Sequence, residues 1–563
     1  MRLIKLLLTI GLALVAGWSL FEGLRNIYYS NYFIGGILLF QTVPILALVI
    51  GYWLAPGQES HPESAGRFYK GKSLKFVLGV ALVVWLVLTG TLFPALWRPQ
   101  LREYGRAQPP WLAAWLAPSL SGRLVFATFD GIQVINNDGS LTQLSPSEND
   151  RDILPVWSPD GQRIAFIAVR ADNRALYVIN ADGSDLTRLT EGFKDETVQS
   201  LSFGWSPDGG RIAFIAERDD NRALYVINAD GRDLTRLTEN FEDETVRWLS
   251  FGWSPDGSRL AVVLDYRDND HPAFYVINAN GSAQTRLAED PVLGTAPQWS
   301  PDGSRLAFIS YRDGHPALYV MNTDGTDQIR LTEDFKDETD RSLSFQWSPD
   351  GSRLVVIPDR RGNDHPAFYI INANGRAQTR LAEDPVLGAA PQWSPDGGRL
   401  SFISNRDGRP ALYVMNADGT DQTRLTENVT LLPAEVTVLP GSHQWSPDGQ
   451  HIVFAGWPDD QAACPAEHSC SEIYVVTVDG RRQTRLTRTT AANQDPIWSP
   501  DGQQIVFISN RGALLKKDPL ERRTEIYVMN VDGSRQARLT FNNFQEQALM
   551  WAPSSKGEYR SLP

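Results

Sequence analysis

Cysteine is nearly absent from this chain: Cys464 and Cys470 are the only two in 563 residues, and no zinc-ligand pattern can be built from them. Positive charge is also short. Lys and Arg number 53 against 66 Asp and Glu, a formal net charge of −13. An acidic chain argues against a nucleic-acid partner, because phosphate binding needs a basic surface. No P-loop, dinucleotide fingerprint or GxSxG nucleophile elbow occurs.

Tryptophan, by contrast, is abundant at 17, and 45 Gly and 35 Pro suit many tight turns. A hydrophobic content of 42% argues against disorder. At 563 residues the chain is too long for one ordinary core, so several domains or a repeat array are expected. The charge is unevenly placed: residues 1–120 hold ten Lys/Arg and four Asp/Glu, and the remainder hold 43 and 62.

Three apolar stretches, 3–21, 33–55 and 74–96, open the chain. Each is long enough for a helix to cross a hydrocarbon core of about 30 Å. Residues 1–96 are therefore predicted to be a three-span membrane anchor. A signal peptide is the competing reading of the first stretch, where Arg2 and Lys5 lead into an apolar run. The Lys/Arg bias, with Arg67, Lys70, Lys72 and Lys75 before the third span, places the N-terminus and the second loop in the cytoplasm. Everything after residue 96 then lies outside the cytoplasm, beginning with a Pro- and Trp-rich linker, 97–120.

From residue 121 the chain repeats itself. WSPDG begins at Trp157, Trp205, Trp253, Trp299, Trp347, Trp393, Trp445 and Trp498, at spacings of 48, 48, 46, 48, 46, 52 and 53. Within 296–332, four extended runs are read: one ending at Trp299, then 305–310, 317–322 and 327–331. SPDG and NTDG supply the proline and the positive-φ glycine that tight turns demand. Each unit is thus predicted to be a four-stranded antiparallel meander, its tryptophan filling the wedge between neighbours. The unit 122–144 lacks a WSPDG strand, and the closing ALMWAPSS around Trp551 is such a strand with nothing after it. Pairing the two closes a ring and removes the free edges. The expected fold class is an all-β propeller of nine blades, with eight as the runner-up, over 121–563, behind three transmembrane α-helices. Nearly identical text in 251–298 and 346–392 points to duplication of blades within the chain.

The unit WSPDG–(R/Q)(L/I)(A/V)F–xLYVMNADG–TRLT resembles the TolB-type WD-repeat-like β-propeller family, over about four-fifths of the chain. That resemblance implies an extracytoplasmic binding platform. The three spans, the larger number of blades and the lack of a separate domain before the propeller depart from TolB itself, so its role in the envelope complex is not implied.

The loops joining strands two and three, and those leading into the next unit, vary most and are the expected binding surface. Asp195 and Glu196, Asp243 and Glu244, and Asp337 and Glu338 recur there in a DET motif. They read as a solvated acidic rim open to Ca²⁺ or a basic partner, without the spacing of a defined calcium loop. His271, His315 and His365 each precede a proline, and neighbouring blades hold them apart, so they read as turn elements rather than zinc ligands. Cys464 and Cys470 lie in an insertion of the eighth unit, where a disulfide would fit an oxidising compartment and two free thiols are the alternative. No α/β-hydrolase domain follows the repeats, and SPDG lacks the threonine and tryptophan of a sialidase Asp-box.

The functional expectation is a membrane-anchored extracytoplasmic scaffold for a protein, peptide or glycan, with no cofactor and no recognised catalytic set. One alternative is a metal-dependent lyase or hydrolase in the propeller channel, which requires His443 and other polar inner-strand groups to converge there. The other is a sensor coupled to the spans.

Overall fold

Every letter of WSPDG has a physical task in the computed structural model, which describes residues 119–553 apart from connecting segments, the longest being 432–442, 460–469 and 512–523. Ser254 Oγ donates to Asp256 Oδ1 at 2.6 Å and accepts the Arg259 N–H at 2.9 Å, while Asp256 also accepts the Ser258 N–H at 3.0 Å. These bonds, led by the Ser254 hydroxyl, hold the Asp256 carboxyl down at about 2. Gly257 sits at φ +69°, and a Cβ there would stand 3.4 Å from Pro207 of the preceding turn. The same contact joins Gly303 to Pro255 and Gly351 to Pro301, so successive turns touch around one end of the molecule.

The described residues form nine sheets, each a blade, numbered here from the one that begins at Leu124. Blade five runs Gln298–Trp299, Arg305–Ser310, Ala317–Asn322 and Ile329–Arg330, all antiparallel neighbours. Its outer strand is shorter than the expected 327–331 for two local reasons. Asp327 takes φ +52°, and the Thr332 hydroxyl accepts the Leu318 N–H at 3.0 Å. In blades four and six an alanine, Ala288 or Ala382, replaces that threonine. There the outer strand lengthens to Gln284–Glu289 or Gln378–Glu383 through a bulge.

The ring closes as the sequence predicts, and with nine blades rather than eight. Leu124–Thr128 pairs antiparallel with Gln547–Trp551, Leu124 lying opposite Trp551. Nine apolar clusters each span two consecutive blades, including one between blade nine and blade one. An open row of blades would have one interface fewer.

The tryptophans sit in these interfaces, and seven of the nine do more than fill space. The indole N–H of Trp205 donates to Val156 O at 3.2 Å, that of Trp253 to Gly204 O at 3.1 Å and that of Trp299 to Gly252 O at 3.0 Å. Trp157, Trp347, Trp445 and Trp498 bond the preceding blade in the same way. Among the described residues Trp393 and Trp551 are buried without such a bond. Arginines lock the other side of the ring: Arg211 lies 5.4 Å from the Trp253 ring and donates to Gly257 O at 2.7 Å.

The propeller belongs to one unit, 109–563. The predicted spans within 1–96, and the linker as far as residue 118, lie outside the described residues. No helix among the described residues is long and apolar enough to cross a membrane.

The indole bond is separable from indole bulk. Trp205→Phe should lose about 1 kcal/mol more stability than Trp393→Phe, since only the first removes a bond and leaves a buried carbonyl short of a donor. Urea-unfolding midpoints of the two variants check this; equal losses would mean the bond contributes nothing.

Candidate functional site

The repeat is most disturbed where blades seven, eight and nine meet. Blade eight has five strands instead of four, because its inner strand is split. Val429–Leu431 and His443–Trp445 both pair with the strand His451–Pro458, with Ala455 alone between the two paired runs. The two pieces of the inner strand are separated by eleven residues in sequence, which accounts for the spacing of 52 between Trp393 and Trp445. The split needs Gly456: a Cβ there would lie 2.6 Å from the Val429 side chain and 2.9 Å from Thr430 O.

His443 follows Leu431 across that split, but it does not reach an open channel. His443 and Ser401 are 3% and 0% exposed, and His443 Nε2 lies 2.8 Å from Ser401 Oγ. The other ring nitrogen has no hydrogen-bond partner among the described residues. Both residues break the repeat at apolar positions: Ser401 stands where Ala307 and Val453 stand in their blades, and His443 where Phe345 and Phe251 stand. Burial pushes the His443 imidazole down to about 4.

At the junction of blades eight and nine, Glu472 and Glu525 occupy the position held by alanine in Ala317 and Ala411. Glu472 is fully buried, accepts from Arg485 at 3.0 Å and from the Thr487 hydroxyl, and receives the Thr489 N–H at 2.6 Å. Asn493, at the start of the blade-nine inner strand, donates to Glu472 at 3.2 Å and to Ser471 O at 2.8 Å. Glu525 repeats the pairing with Arg538 and Thr540. These carboxylates use the arginine and threonine that TRLT already supplies, so they serve as structural ties. Their sequence signal was the replacement of a repeat alanine by glutamate.

Between blades seven and eight an open cleft of about 530 Å³ is lined by Arg409, Thr430, Trp457, Pro458 and Asp459. Arg409 and Asp459 form an ion pair across it. Nearby, Asp407 accepts from the Tyr413 hydroxyl and from Arg424 at 3.1 Å. Burial, and then the Asp407 carboxylate, push the Tyr413 phenol up to about 12. None of the cleft residues was singled out from sequence.

The residues that were singled out divide sharply. The nine repeat tryptophans stand at inner-strand ends as expected. Asp195, Glu196, Asp243, Glu244, Asp337 and Glu338 lie outside the described residues, as do His315, His365 and Cys464. His271 falls within the strand Asn269–Asn278. Cys470 is buried beside Ser471 of the blade-eight network. No group of three His, Cys, Asp or Glu suited to a metal occurs among the described residues.

Taken together, closed ring, WSPDG turns and indole wedges define a nine-bladed β-propeller. The TolB beta propeller domain matches residues 132–240, 248–346, 340–461 and 433–558, and the chain belongs to that family. Over 98 residues it is 33% identical to an uncharacterised protein of Agrobacterium fabrum, covering 17% of this chain and 27% of that protein. Over 98 residues it is 26% identical to the Tol-Pal system protein TolB of Francisella tularensis subsp. mediasiatica, covering 17% of this chain and 19% of that one. The matched stretch thus spans a minor part of either relative. A solved structure of a eukaryotic initiation factor aligns with TM-score 0.51 at 13% identity, over 77% of this chain and 99% of that chain, a likeness of fold alone.

His443 gives a pH test of this interface. Its depressed pKa means the unfolded chain binds a proton first, so stability is lost as pH falls from about 6.5 towards 4 and levels off below. The contribution is on the order of 3 kcal/mol. The stability difference between the parent and His443→Gln should shrink by that amount between pH 7 and pH 4, measured by urea unfolding. Parallel curves would show that His443 titrates normally.

Proposed function

We propose that the chain is a membrane-anchored, extracytoplasmic binding scaffold whose loop end at blades seven to nine receives a protein, peptide or glycan partner. The observation that carries this reading is the clustering of departures from the repeat. Blade eight alone among the described blades splits its inner strand, and the open cleft lies beside that split. The turn end keeps its uniform WSPDG geometry. Membership in the TolB propeller family supports a binding role in general.

The channel-enzyme reading loses its nominated group, since His443 is sealed against Ser401. The extracytoplasmic placement rests on the Lys/Arg bias around the apolar stretches and on the two cysteines. In this reading Cys464 and Cys470 are joined in a disulfide that pins the blade-eight insertion. Support for it is that no cysteine among the described residues is free.

A membrane-impermeant thiol reagent applied to intact cells should label Cys464 and Cys470 after reduction and not before. Labelling that requires lysis overturns the placement, and labelling without reduction overturns the disulfide. Crosslinking in native membranes, followed by mass spectrometry, should place partner crosslinks on the loop end of blades seven to nine. Crosslinks confined to the WSPDG end would reverse the assignment of faces.

A further inference from the structure

We infer that the segment 109–118, which lies outside the described residues, docks on an apolar stripe along the outer rim of blades one to three. The stripe lies at the turn end of the ring and is independent of the partner surface placed on the loop end.

The stripe is a departure from the repeat at one fixed register position, the start of the outer strand. Opposite Ile277, Ile371 and Val476, blades four, six and eight carry Gln284, Gln378 and Gln483. Gln328, Gln422 and Gln536 hold the same position in blades five, seven and nine. Blades one, two and three carry Leu141, Leu186 and Leu234 instead, Leu141 lying opposite Ile135. The glutamines have an internal use. Gln328, Gln483 and Gln536 donate to Leu287 O, Glu427 O and Leu486 O of the preceding blade, at 3.1, 3.0 and 2.8 Å. A leucine cannot make that tie.

What the leucines offer is surface. They are 51%, 44% and 39% exposed, and they make up three of the five exposed large hydrophobic residues among the described ones. A single exposed leucine is ordinary, but the same position in three consecutive blades makes a patch. Gly183 lies against Leu144 and Gly231 against Thr187, so each outer strand abuts the turn of the next blade and the stripe runs on from one to the other.

The occupant follows from where the chain enters the ring, which is at blade one, where the stripe begins. Leu120 N–H donates to Asn137 O at 2.6 Å, in the turn that leads to Leu141. Ser121 N–H donates to Gln504 Oε1 at 2.9 Å, and Gln504 Nε2 donates to Ser119 O at 3.0 Å. The ten residues before Ser119 carry no charge and include Trp111, Leu112, Trp115 and Leu116. Ten residues reach up to about 35 Å when extended. Packed sheets stand about 10 Å apart, and radial blades splay further at the rim, so this reach covers more than one blade. An uncharged apolar segment is thus tethered beside an apolar part of the rim. Covering each with the other removes both from water. The tether gives the segment an effective concentration that a free partner lacks. The exposed Asp138, Asp182 and Asp230 on the same turns oppose an anionic lipid surface, and a second copy would bring the same carboxylates.

The test uses the full chain in its native membrane, with Leu186→p-benzoylphenylalanine as a photo-crosslinker. After irradiation and trypsin, protein of monomer mass should yield the peptide of residue 186 joined to the peptide 107–123, with fragment ions placing the link within 109–118. Links instead to a second copy, to lipid or to another protein, or no link to 109–118, overturn the inference. A second measurement does not depend on crosslinking. Trp111→Ala together with Trp115→Ala should lower the midpoint of propeller unfolding in detergent. That loss should shrink about threefold or more when Leu141→Gln, Leu186→Gln and Leu234→Gln are also present. The glutamine variants keep the fold, because six blades already carry glutamine there. Equal losses in the two backgrounds, or no loss in the parent, overturn the docking.

Discussion

A closed ring has to bring its last blade back to its first, so every interface must turn the chain by a similar amount. In this propeller the tryptophan at the end of each inner strand meets that demand. Its bulk sets the width of the wedge, and in seven of the nine blades its indole N–H, bonded to the carbonyl just before the previous tryptophan, sets where along the strand the wedge sits. The rest of the repeat follows from that placement. In blades one to three the arginine at the head of strand two stacks on the next tryptophan and holds the following turn. The proline of one turn then lies against the glycine of the next.

This construction makes the two ends of the propeller unequal. At the turn end, nearly every residue is committed to its neighbour blade: serine to aspartate, glycine to proline, arginine to carbonyl. A substitution there disturbs the geometry on which closure depends. At the loop end no comparable chain of contacts links blade to blade among the described residues, and there the strands lengthen or split. Variation there is permitted by the same physics that forbids it at the turns, which is the general reason that rigid scaffolds carry function on their loops.

Much of this was legible in the residues. Blade number, strand order, the closing strand at Trp551 and the middle strands of blade five all follow from WSPDG spacing and turn chemistry. The outer strand of blade five was read too long because Asp327 and Thr332 end the pairing through a positive φ and a hydroxyl acceptor, effects that hydrophobic alternation does not register. The candidate site was far less legible. Trp457, Pro458 and Asp459 are consecutive in sequence, but Arg409 of the neighbouring blade meets Asp459 only through blade packing, which no motif announces. The acidic DET pairs, conspicuous as text, fall outside the described residues.

A repeat also offers its own internal standard, and departures from it are of two kinds. Ser401 and His443 each put a polar group at an apolar position, in adjacent blades, and the two bond each other. Glu472 replaces an alanine and meets an arginine and a threonine that the repeat already provides. Burying any of these groups unpaired would cost about 1–3 kcal/mol, and pairing removes most of that cost. Such changes are closed accounts within the fold and require no ligand. Trp457 reaches the same end by another route. It stands at a partly exposed position where most of the other blades carry a polar residue, and its ring packs against the apolar cluster shared by blades eight and nine. Its compensation is apolar burial inside the ring rather than a polar partner.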